Sequence, residues 1–125
     1  MSESATCACG AAPKLIFACS GAADVGGISD LAARQLTKNG AGKMYCLAGI
    51  GGKISGIVTS TQSAAKILAI DGCPLNCAKI TLEQAGFTRF EHLRLVDLGL
   101  QKGSSPSSQE NIEKVVQAAI PLLAC

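Results

Sequence analysis

The sequence predicts an α/β domain, a small three-layer sandwich with a mostly parallel four-stranded sheet, and three observations predict it. The length of 125 residues is that of one domain, enough to bury a core without staples. Short continuous apolar runs, as expected of strands buried on both faces, alternate with stretches of helical spacing. Cys19, Cys46 and Cys73 recur 27 residues apart each time. One strand plus its crossover helix takes about 30 residues, so each interval is one βα unit. The pattern is Rossmann-like, with each cysteine at the C-terminal end of a successive strand, the edge where open parallel sheets bind ligands.

Taken in order, Lys14 to Cys19 reads as the first buried strand. A helix follows over Val25 to Asn39, with Ile28, Leu31, Ala32 and Leu36 at helical spacing and Gly40 as its terminator. Lys43 to Ala48 reads as the second strand and Ile54 to Ala65 as a shorter helix. Lys66 to Ile70 is the third strand. Pro74 to Ala85 reads as a helix with proline at its first position and Gly86 after its end. His92 to Leu98 is the expected fourth strand. Gly103 to Ser108 is a polar turn, and Ser107 with Glu110 forms a capping box for a last helix ending near Leu123. Residues 1–12 form a flexible cysteine-containing leader ahead of a domain at 13–125.

Composition excludes several function classes. A net charge of +2 with no lysine or arginine run argues against nucleic acid as a partner. No tryptophan, one tyrosine and three phenylalanines leave little for a base-stacking platform. No apolar run reaches membrane-spanning length, and the polar opening with Glu3 is unlike a signal peptide. The expectation is a cytoplasmic chain, whose partner is a metal ion and whose protein partners the sequence does not disclose. In that reducing compartment seven cysteines, an odd number, point to metal or redox chemistry rather than disulfides.

The chemistry lies in four of them. Cys19, Cys46 and Cys73 come one from each strand end, and Cys77 follows Cys73 by one helical turn. A lone buried cysteine is ordinarily a small apolar side chain. Four converging on one functional edge make an all-thiolate site of the kind zinc takes, at about 2.3 Å per sulfur. His92, the only histidine, falls at the start of the fourth strand, on the opposite edge, so no imidazole joins the set. Asp97, near the end of that strand, could approach the cysteines; Asp71 could orient the glycine turn or cap a helix. Cys7, Cys9 and Cys125 lie towards the termini and outside the expected ligand set. Gly49, Gly51 and Gly52 before Lys53 lack both the third glycine of a dinucleotide fingerprint and the Ser/Thr of a P-loop. Cys19 has no nearby arginine, which a phosphate-binding cysteine loop would need.

Three segments carry a resemblance: Phe17–Gly26 around Cys19, Gly42–Gly51 around Cys46, and Ile70–Lys79 with Asp71-Gly72-Cys73 and Cys77. A weaker one is Leu95–Gly99. In these the chain resembles the DGC family, named after its Asp-Gly-Cys motif. The resemblance implies a metal-binding domain with Cys19, Cys46, Cys73 and Cys77 as ligands, in agreement with the spacing argument; it does not fix an activity, and Cys7 and Cys9 lie outside it. Four thiolates also suit an iron–sulfur cluster, in an electron carrier or enzyme. A metal-free thiol oxidoreductase using Cys73 and Cys77 ranks last, because its spacing departs from the redox C-x-x-C.

Overall fold

A computed structural model describes residues 12–124. It has four strands, β1 (Lys14–Ala18), β2 (Lys43–Met44), β3 (Lys66–Asp71) and β4 (Glu91–Arg94). Five α-helices accompany them among the described residues: α1 (Asp24–Lys38), α2 (Leu47–Gly51), α3 (Ser55–Gln62), α4 (Cys77–Gln84) and α5 (Gln109–Leu123). The strands form one sheet in the order β2-β1-β3-β4, and every pairing is parallel.

Alternation along the strands explains the layers. Ile16, Ala18, Leu68, Ile70 and Leu93 face one side, where they pack with Val25, Ile28 and Leu36 of α1 and Val115, Val116 and Ala119 of α5. Leu15, Phe17, Ile67 and Ala69 face the other, against Ile50 of α2 and Ala78 and Leu82 of α4. Two apolar cores on opposite faces of a parallel sheet make the three-layer sandwich that the sequence predicts.

The strand order places a switch point. From β1 the chain steps to β2 on one flank, then crosses back to β3 on the other. Loops leaving β1 and β3 therefore diverge at their C-terminal ends, and the crevice between them is where such sheets bind ligands. Cys19 follows β1 directly, and Gly72-Cys73 follows β3.

Several element boundaries differ from expectation, among them the helix expected over Ile54 to Ala65, which spans Ser55–Gln62. Lys43 to Ala48 is strand only over Lys43–Met44, although the Tyr45 N–H still donates to Ile16 O at 2.8 Å. The chain then turns at Cys46 into α2, which buries Ile50. α4 begins at Cys77, not at Pro74, because Asn76 sits at φ 58°, outside the helical region. The fourth strand stops at Arg94, and Leu95–Leu98 closes into a 3-10 turn that buries Leu95. The cap of α5 is Ser108, one residue past the expected Ser107, and its hydroxyl accepts the Asn111 N–H at 3.2 Å. The expected terminators hold: Gly40 and Gly86 lie beyond α1 and α4 at φ 79° and 94°.

Candidate metal centre

The loops after β1 and β3 meet through backbone. Gly72 packs against the first turn of α1 so closely that a Cβ there would run into the Val25 carbonyl. This contact lets the Gly72 N–H reach Cys19 Sγ, donating at 2.9 Å. The thiol of Cys19, 8% exposed, in turn lies 3.7 Å from Ser29 Oγ, whose own hydroxyl donates to the Val25 carbonyl at 2.9 Å. Burial pushes the Cys19 thiol above its ordinary value; the Gly72 N–H and Ser29 oppose the rise, while the negative charges of Asp71 and Cys73 add to it. The shielded Cys19 sulfur therefore keeps its proton to higher pH than an exposed thiol does.

The structure thus brings Cys19 and Cys73 into one electrostatic neighbourhood, with Cys73 half-buried against the α1–α5 core. Cys46 and Cys77 are exposed. Among the described residues no three Cys, His, Asp or Glu side chains stand close enough together to hold a metal ion. Four thiols are chemically right for a soft divalent ion; Cys19 and Cys73 are the more buried of them, and Cys46 and Cys77 are exposed. Cys77 opens α4 and Cys73 precedes that helix in a turn, so the two do not share a helical turn. Cys46 opens onto a crevice of about 860 Å³ with Ser20, Asp30, Arg34 and Lys43 in its walls, a route from solvent to the edge. A crevice of about 680 Å³ at the far end of the sheet, by Lys66 and Arg89, holds none of the expected ligands. Cys7, Cys9 and Cys125 lie outside the described residues.

Asp71 takes the helix-capping role that the sequence allows it, and His92 departs furthest from expectation. Asp71, 1% exposed, accepts the Ala78 N–H at 2.7 Å on Oδ1 and the Lys79 N–H at 3.0 Å on Oδ2. It caps α4 from the end of β3, while the Asn76 side chain makes no cap bond. His92 is not an exposed residue at the far edge. β4 pairs only with the last four residues of β3, which sets His92 beside Ala69, and its Nε2 lies 2.8 Å from Asp71 Oδ2. The short register of β4 is what sequence reasoning missed; a polar residue alternating with Leu93 onto the α4 face was the available signal. Asp97, by contrast, stands apart from the thiols: its side chain is 64% exposed and 3.9 Å from Arg94 Nη1.

Fold and edge together define a parallel α/β domain whose strand-end loops carry thiols. The model of the DGC domain matches residues 15–119, and the chain belongs to that family. It is 38% identical over 88 residues to the anaerobic and virulence modulator AnvM of Pseudomonas aeruginosa, covering 70% of this chain and 67% of that protein. No solved structure matches the chain.

Proposed function

We propose that this protein is a small metal-binding domain that takes up one soft divalent ion, zinc, on Cys19, Cys46, Cys73 and Cys77, for metal handling or sensing. The observation that carries the reading is the Gly72 N–H on Cys19 Sγ at the switch point, joining the loops of two proposed ligands. A bound cation would supply the positive charge that makes four thiolates tolerable together. Gly72 and Ser29 hold Cys19 in place, and Asp71 anchors the helix that begins with Cys77. Because Cys46 and Cys77 are exposed, closing the site takes movement of these two thiols onto Cys19 and Cys73. A site that closes from an open state suits uptake and release better than permanent structural bracing. A closed four-sulfur site leaves no position for a catalytic water, so hydrolysis is not part of the reading.

The AnvM relative, an anaerobic and virulence modulator, favours sensing and supports a second reading, an iron–sulfur cluster on the same thiols. One experiment tests both: elemental and sulfide analysis of protein purified anaerobically without added metal. About one zinc per chain without sulfide supports the first reading. Iron with stoichiometric sulfide supports the second, and protein free of both metals that takes up neither on reconstitution overturns the two.

A further inference from the structure

Asp71, His92 and the start of α4 form a unit that the four thiols alone do not explain. A buried carboxylate is costly unless hydrogen-bonded. Asp71 meets this with three donors: the Ala78 and Lys79 N–H groups and, because a carboxylate only accepts, an N–H on His92 Nε2. Its donors come from two elements, so the carboxylate ties α4 to both β3 and β4. Between Asp71 and α4 lies the loop that carries Cys73 and ends at Cys77. That loop is strained. Asn76 takes a left-handed conformation at φ 58°, and its buried Oδ1 has no hydrogen-bond partner among the described residues. Such features persist only where the surroundings over-determine them. Here the surroundings are the Asp71 bonds on one side and the Ile80 N–H, donating to the Asn76 carbonyl at 2.9 Å, on the other.

From this geometry we infer that His92 is a positioning residue for the metal loop: through Asp71 it fixes the start of α4, and with it the end of the loop from which Cys77 closes onto Cys73. The inference rests on the proposed metal site and adds to it a residue that carries no ligand atom. His92 touches neither cysteine by any hydrogen bond, so its effect on metal passes through Asp71 and the backbone of α4. Outer partners of this kind typically change metal affinity about 10–100-fold when removed.

The test compares the full-length wild type with His92→Ala and His92→Gln, whose amide can still donate. Zinc affinity is measured by competition with a chromophoric chelator, and amide exchange is followed by NMR on the metal-free chains. The expected result is affinity about 10–100-fold weaker in His92→Ala, recovered in large part by His92→Gln. Metal-free His92→Ala should exchange the Ala78 and Lys79 amides faster, while α1 amides and the thermal midpoint stay near wild type. Wild-type affinity in His92→Ala, or unchanged exchange at Ala78 and Lys79, overturns the inference and leaves the metal site standing. Equal losses in both variants, with a collapsed thermal midpoint, also overturn it, since His92 would then serve stability alone. A wild type that binds no zinc overturns the proposed site and this inference together.

Discussion

At the scale of single residues, the four proposed ligands divide by burial, and the division has separable consequences. Cys46→Ser should abolish stoichiometric zinc while the unfolding free energy of the metal-free chain stays within about 0.5 kcal/mol of wild type, as for other exposed positions. Metal analysis beside denaturant unfolding checks both halves. Cys19→Ser should lose zinc and also stability, by about 1–2 kcal/mol, because a more polar group would replace a buried thiol. Gly72→Ala is the harsher change. Its methyl group would strike the Val25 backbone, which no rotamer relieves, so about 2 kcal/mol or more of stability should go, with weaker metal binding. The cysteines were legible in the sequence because equal spacing turns chain position into strand position. The role of His92 was not, because it depends on β4 pairing with β3 only from Leu68 onward, which no local pattern records.

Among the elements, the helix ends are where sequence and structure part by one to three residues. Ser107 and Ser108 are both plausible caps, and the hydrogen bond to Asn111 selects Ser108. Ser108→Ala should therefore cost about 1 kcal/mol in thermal or denaturant unfolding, and Ser107→Ala close to nothing. The start of α1 is joined to the loop before α5 by one carboxylate. Asp24 accepts the Gly103 and Ser105 N–H groups at 2.9 and 3.0 Å, besides the Val25 N–H at 2.8 Å. These bonds, Gly103 first, hold its pKa below the ordinary aspartate value. A lowered folded pKa stabilises the fold fully above the unfolded value of about 3.9, and that stability is lost as pH falls through the lower folded value. Asp24→Asn should accordingly flatten the acid limb of the stability–pH profile while changing it least near pH 2. The late start of α4 has a different cause. Proline at a first helical position is a sound sequence signal. It fails here because Asn76 leaves the helical region at φ 58°, and Asp71, three residues before Pro74, satisfies the helix's free N–H groups at Ala78 and Lys79.

For the molecule as a whole, two complete apolar cores mean that the fold does not wait for metal. Chelator-treated protein should keep its helix and sheet content by circular dichroism, unlike small zinc domains that unfold without their ion. Added zinc should raise the thermal midpoint with concentration, as any ligand of the folded state does. Loss of far-ultraviolet signal on chelation would contradict this picture. The overall architecture was readable in the sequence because each strand is a continuous run buried on both faces. The openness of the thiol edge was not: equal spacing puts residues at equivalent strand ends without fixing which way their side chains turn.

The sheet's margins carry one more implication. Its two flanking strands are β2, two residues long, and β4, four residues that include Glu91, His92 and Arg94. Long apolar margins invite another chain to continue the sheet, whereas short or charged ones offer little template. Among the described residues, the domain can hold an edge of thiols open to solvent without also displaying a long apolar strand margin on which copies would stack into fibres.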